Sequence, residues 1–101
     1  MIKVGVFYPV TAKFDWDYYL NKHMPMVGKL LGSALKKAEV EKGLGGAGPG
    51  APATYAAICT MQFDSVDAFQ NAFGPHAREI MGDIANYTDA KPVVQVSEVK
   101  M

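Results

Sequence analysis

Apolar residues alternate with Lys3 and Gly5 from Ile2 to Tyr8, and the run then meets Pro9. That pattern predicts a β-strand ended by proline. Further on the period lengthens. Trp16, Leu20, Val27 and Leu31 fall at near-helical spacing, with Tyr19 and His23 one turn apart. Asp15 or Asp17 can cap this helix, and both suit its positive end. Pro25 lacks an amide proton and crowds the carbonyl of Asn21 four residues back. The helix should therefore kink or restart near Met24 and end before Gly32-Ser33. Ala34 to Lys42 mixes Leu35, Ala38 and Val40 with five charges, and is read as a strand whose charges protect a sheet edge. Helix is the competing reading, because Lys, Glu and Ala are helix formers.

Gly43 to Ala53 is a Gly-, Pro- and Ala-rich stretch with no side chain able to do chemistry. It lacks the Gly-Lys-Ser/Thr ending of a phosphate loop and is read as a mobile hairpin connection. Tyr55 to Phe63 is a strand with Tyr55, Ala57, Cys59, Met61 and Phe63 on one face and Ala56, Ile58, Thr60 and Gln62 on the other. Neither face is fully polar, so both should be covered. Asp64 is read as the cap of a second helix, with Asp67 three residues on. Its apolar stripe is Val66, Phe69, Phe73, Ala77, Ile80, Met81 and Ile84, interrupted at Gly74-Pro75. A polar loop, Asn86 to Asp89, leads past Lys91-Pro92 to a last strand from Val93 to Val99.

Strand, helix, strand, strand, helix, strand is the split βαβ order of an α+β, ferredoxin-like fold, a four-stranded antiparallel sheet with both helices on one face. The second face of the sheet is then bare although its strands carry apolar residues on both sides. At about 25 cal/mol per Å² of apolar surface, leaving that face wet forfeits much of a small domain's stability. A homodimer pairing sheet with sheet is the simplest cover.

The chain's 101 residues make one domain, 1–101, and half of them are hydrophobic. Ten acidic residues balance ten basic ones, and no basic patch points to nucleic acid or to an anionic membrane. Zero net charge gives little protection against self-association. No apolar run reaches 18 residues, and the start lacks a signal peptide's apolar stretch, so the expected location is cytoplasmic. The single cysteine, Cys59, cannot form an internal disulfide and is read as a small core residue.

Several separated stretches resemble the EthD family, named for a protein encoded with an ethyl tert-butyl ether oxidation system. They are Phe14-Asp15-Trp16-Asp17-Tyr18-Tyr19, His23-Met24-Pro25, and Met61 to Phe69. Phe73-Gly74-Pro75-His76-Ala77, Ile80 to Asp89 and Lys91 to Val99 continue the likeness in the same order. The resemblance covers nearly the whole chain except the glycine loop. It implies a dimeric α+β barrel, in which two ferredoxin-like subunits pack sheet against sheet. The wider class includes cofactor-free monooxygenases, polyketide cyclases, muconolactone isomerases and small dehydratases. These act on small, mostly apolar or aromatic molecules held between sheet and helices. The resemblance further associates the chain with an oxidoreductase pathway, while fold alone does not fix function.

Among the candidate chemical groups His23 stands first. Beside a proline kink it can project into a cleft as general acid or base; otherwise it bonds a carbonyl freed by the kink. Tyr19 is its expected catalytic companion. Trp16, His76, Asn86, Tyr87 and Asp89 are the expected substrate-binding residues, against plain core, helix-surface and turn roles. His23 and His76 with Asp83 or Asp89 have the composition of a facial triad, but no pair has the i, i+4 spacing of a helix-borne site, and no metal is expected. No cofactor motif is present, and no Gly-x-Ser-x-Gly elbow or Cys-His pair supports covalent catalysis. Two functions stay open: His-assisted proton transfer on a small apolar ligand, by an enzyme or accessory of an oxidative degradative or biosynthetic pathway; and a non-catalytic binder of such a ligand, or partner subunit of an oxidoreductase. A purely structural dimerisation module would have a filled interior.

Overall fold

A computed structural model describes residues 1–11 and 13–101 of the chain. Its antiparallel sheet has the order β2-β3-β1-β4, with β1 at Ile2–Pro9, β2 at Lys37–Lys42, β3 at Tyr55–Phe63 and β4 at Val93–Glu98. The two central strands are the most apolar ones. Val4 faces Met61 and Val6 faces Cys59 across β1 and β3, and Val6 faces Val94 across β1 and β4. The charged strand β2 lies at one edge, where its lysines and glutamates discourage further pairing. It starts three residues later than the sequence pattern suggests, because a 3-10 turn at Gly32–Ala34 follows the first helix. The Gly43 to Ala53 stretch joins β2 to β3 as a hairpin connection, with Gly50 at φ +74°.

The first helical layer is α1 (Trp16–Tyr18), a π-helical turn (Tyr19–His23) and α2 (Met24–Leu31). Asp15 is the cap, and its carboxylate accepts from the Tyr18 amide at 3.1 Å. The expected disturbance at Pro25 takes the form of the wide turn before it. The Met24 amide reaches back to the Tyr19 carbonyl, so the helix restarts at Met24 and Pro25 falls in a first turn, where no amide proton is needed. Gly32, at φ +59°, ends the helix in a conformation that side chains other than glycine disfavour.

The second layer is α3 (Val66–Phe73), a 3-10 turn at Gly74–His76, α4 (Ala77–Gly82) and a 3-10 turn at Ile84–Asn86. Its cap is Ser65, not Asp64: the Ser65 hydroxyl accepts from the Ala68 amide at 3.0 Å. Asp64 belongs to the turn that leaves β3, and its carboxylate stays exposed near Lys36. The stripe is narrower than predicted. Ile80 and Ile84 are buried and Phe69 and Phe73 are partly so, whereas Val66 and Met81 are exposed.

Both layers lie on one face of the sheet. Val27, Leu31 and Ile80 pack with Ile2, Val4, Cys59, Met61 and Phe63, and each of the larger aliphatic and aromatic side chains contributes about 1.5–3 kcal/mol when fully buried. The opposite face, with Phe7, Ala56, Ile58, Thr60 and Gln62, is only half-buried. No helix among the described residues is long and apolar enough to cross a membrane.

Candidate active site

The π-helical turn and the end of the second layer build the site together. The segment before α1 is pinned to the segment after the second layer. Phe14 bridges Thr88, the Asp15 amide donates to the Tyr87 carbonyl at 2.7 Å, and the Thr88 hydroxyl donates to the Lys13 carbonyl at 2.7 Å. That clamp buries Tyr19, Tyr87 and Thr88 completely or nearly so and brings His23 beside them. The Tyr19 and His23 rings stack at 5.6 Å with 15° between their planes, and the Tyr87 ring lies 4.7 Å from His23.

His23, 3% exposed, bonds no carbonyl. Its Nδ1 lies 2.9 Å from Asp83 Oδ2. Asp83 Oδ1 accepts from the Tyr18 hydroxyl at 2.6 Å and from Asn86 Nδ2 at 2.8 Å. Partial burial alone would push the Asp83 carboxyl up. The three hydrogen bonds from Tyr18, Asn86 and His23 outweigh it and hold the carboxyl below the usual range. An ionised Asp83 only accepts, so the neutral imidazole carries its proton on Nδ1 and presents a lone pair at Nε2. Among the described residues the Tyr87 hydroxyl is the polar partner of Nε2, at a long 3.5 Å. That hydroxyl is paired with Tyr8 Oη at 2.7 Å.

His23, Tyr19, Tyr8 and Cys59 line a cavity of about 320 Å³ between sheet and helices, and the remaining walls are apolar, including Val27, Phe69, Phe73 and Ile84. Exposed Met81 and Val94 stand at its rim. The interior is therefore not filled, as a purely structural module would require. Burial pushes the hydroxyls of Tyr19, Tyr87 and Tyr8 upward, and a hydrogen bond to Tyr8 adds to the rise at Tyr87. All three are phenols, able to donate, at any physiological pH. Burial also raises the Cys59 thiol, which fits a wall residue better than a nucleophile.

The other candidates fall in different places. Trp16 is half-buried against Phe14 and Tyr19, behind the cavity wall. His76 sits half-buried on the turn between α3 and α4 and is not part of the cavity lining. Asn86 is exposed and acts on Asp83. Asp89 is exposed and accepts from the Thr11 hydroxyl, a loop contact. Among the described residues no three His, Cys, Asp or Glu side chains are grouped to hold a metal ion. Sequence reasoning considered Asp83 only as a metal ligand and missed it as the partner of His23. Its one signal is position: it precedes the buried stripe residue Ile84 and follows Ile80 by three, so it borders the face turned toward the first helix.

A part-buried His–Asp pair at the wall of an apolar cavity thus sits in a ferredoxin-like α+β domain. The profile of the EthD domain matches residues 8–91, and the chain belongs to the EthD family. An EthD-like protein from Ralstonia eutropha JMP134 is 52% identical over 99% of this chain and 92% of that one, with a TM-score of 0.92. Hydroxynitrile lyase from Passiflora edulis shares the fold at 19% identity, 98% and 93% coverage and a TM-score of 0.69. A dimeric ferredoxin-like protein of unknown function from Thermobifida fusca YX shares it at 18% identity, 97% and 90% coverage and a TM-score of 0.63. No protein of curated function matches the chain.

Proposed function

We propose that this protein takes a small apolar or aromatic molecule into the cavity between sheet and helices, and that His23 Nε2 moves a proton on it. The observation that carries the reading is the Asp83–His23 pair, which holds a buried imidazole at the wall of an apolar cavity with only a long contact from the Tyr87 hydroxyl at Nε2. A positioned base in a dry pocket contributes about 10²–10⁴-fold to a proton transfer, and no cofactor is needed for such a step. The Passiflora enzyme supports the reading only as a case of the same fold carrying an enzyme. EthD proteins' association with oxidative pathways suggests the metabolic setting. We further propose a homodimer through the bare sheet face; the half-buried apolar residues there and the dimeric Thermobifida fusca neighbour support it.

The test uses 5-nitrobenzisoxazole, a compact aromatic probe of general bases. A base takes the ring C–H proton, the N–O bond breaks, and 2-cyano-4-nitrophenolate forms. The wild-type protein should accelerate this elimination over buffer, and His23→Ala should lose at least about tenfold of that rate. Equal rates in the two proteins would remove His23 as the base. A second reading, ligand binding without chemistry, is favoured by one observation: the one thiol on the cavity wall among the described residues, Cys59, is pushed up by burial. It predicts no acceleration by the wild type.

A further inference from the structure

The phenolic oxygen of Tyr19 is the one buried side-chain polar atom among the described residues with no hydrogen-bond partner. Tyr19 is 0% exposed and lines the cavity. The Tyr8 hydroxyl and the Cys59 thiol are its polar neighbours, but neither meets it at the distance and angle of a hydrogen bond. A buried hydroxyl left unpaired is destabilising, and native proteins rarely keep one. An acceptor supplied by a ligand would remove that cost.

The rest of the wall limits what the ligand is. No Lys, Arg, Asp or Glu is part of the lining, so nothing there neutralises a charged group. Asp83, ionised behind His23, repels anions. The volume of about 320 Å³ lies at the low end of the range of small-molecule sites, roughly 300–1,000 Å³. The polar side chains of the lining are few: the Tyr19 hydroxyl as donor, the His23 imidazole, the Tyr8 hydroxyl, which is paired with Tyr87, and the Cys59 thiol.

We infer that the cavity is shaped for a compact, uncharged molecule with one carbonyl oxygen, held by the Tyr19 hydroxyl, and an apolar body against Val27, Phe69, Phe73 and Ile84. The inference rests on the reading of this cavity as the ligand site, and it specifies the proton that His23 would move. With the carbonyl oxygen on Tyr19, a C–H bond next to the carbonyl is the acidic one. Its proton goes to Nε2, its electron pair moves into the carbonyl, and the enolate oxygen that forms accepts from Tyr19.

The experiment compares acetophenone, ethylbenzene and benzoate by calorimetric titration against the wild type, Tyr19→Phe and His23→Ala. In the wild type acetophenone should bind about tenfold more tightly than ethylbenzene, the worth of one hydrogen bond to an otherwise unpaired donor, and benzoate should bind most weakly. Tyr19→Phe should erase the preference for acetophenone and leave ethylbenzene unchanged or tighter. It should also melt no lower than the wild type, because it removes an unpaired hydroxyl. His23→Ala should keep the preference. Equal binding of the two neutral probes, failure of both to bind, a preference that survives Tyr19→Phe, or benzoate binding as well as acetophenone would each overturn the inference. A Tyr19-dependent preference without His23-dependent elimination sinks only the proton-transfer reading; the reverse sinks only this inference.

Discussion

Asp83 Oδ2 lies 2.9 Å from His23 Nδ1, joining residues 60 apart in sequence. The bond ties the π-helical turn of the first layer to the end of the second. Asp83 also gathers Tyr18 and Asn86, so one carboxylate satisfies donors from both layers. The wide turn matters here. It leaves Tyr19 and His23 four residues apart with stacked rings, and both reach the cavity. Support from behind and access in front are what a general base needs.

Asp83→Asn tests that support. Its amide can accept from His23 with its oxygen, but its NH₂ then faces the Asn86 donor. His23 loses the charge that holds its proton on Nδ1. Elimination of 5-nitrobenzisoxazole should fall about 10–100-fold, in the range seen when the group orienting a functional histidine is removed. Acetophenone affinity should change less than about threefold, because the cavity wall is intact. Nitrogen-15 NMR should show Nδ1–H in the wild type and a mixture of tautomers in the variant. An unmixed Nδ1–H form in both proteins, with equal rates, would remove Asp83 from the positioning role.

The same carboxylate sets an acid limit. Asp83 is held below its ordinary value, so the native state binds the proton less readily than the unfolded chain. Its contribution is fully present above the unfolded carboxyl value of about 3.9 and is lost as pH falls through the lower native value. Urea midpoints measured from pH 6 down to pH 2 should therefore fall more steeply for the wild type than for Asp83→Asn. Parallel curves would show that Asp83 is not selectively stabilised in its ionised form.

The Tyr8–Tyr87 hydroxyl pair, at 2.7 Å and buried, joins the first strand to the loop after the second layer. Removing one hydroxyl strands the other. Tyr8→Phe and Tyr87→Phe should each cost about 1–2 kcal/mol, and the double variant should cost less than their sum by about 1 kcal/mol. Chemical denaturation of all four proteins measures the difference. Strict additivity would show that the two hydroxyls do not support each other.

The fold was legible because the signals were local. Period two in Ile2 to Tyr8 and Tyr55 to Phe63, the charges of the β2 edge and the glycine that ends α2 each report on their own segment. Pro25 announced a disturbance, and the π-helical turn is how the chain resolves it. The cap of the second helix was misplaced by one residue, since Asp64 and Ser65 are both good caps and only the turn out of β3 decides between them. The site was half legible. His23, Tyr19 and Tyr87 come together, whereas His76 stands apart on its own turn. The sequence offers Asp83 only as a metal ligand, because its pairing with His23 depends on how two helical layers meet, and no periodicity within either layer encodes that. Tyr87 lay in a segment read as a polar loop, yet it is fully buried by the Phe14–Thr88 bridge.

The bare sheet face carries the last prediction. Ile58 is central on it, in β3 beside Phe7 of β1 and Glu41 of β2, and the Phe7 ring packs on Tyr55 at 5.3 Å. Phe7 also leans over Gly5, whose missing side chain leaves room for the ring: a Cβ there would meet it at 2.7 Å. This is a shaped apolar patch bordered by Lys3, Glu41, Gln62 and Gln95, the layout of an interface core and rim. A carboxylate placed at its centre faces its own copy in a two-fold dimer and cannot be desolvated without a partner cation. Ile58→Glu should sediment as a monomer where the wild type sediments as a dimer. Its fold should persist by circular dichroism, since Ile58 points away from both helical layers. A variant that remains dimeric would place the interface elsewhere on the molecule, and a monomeric wild type would leave this face for another partner.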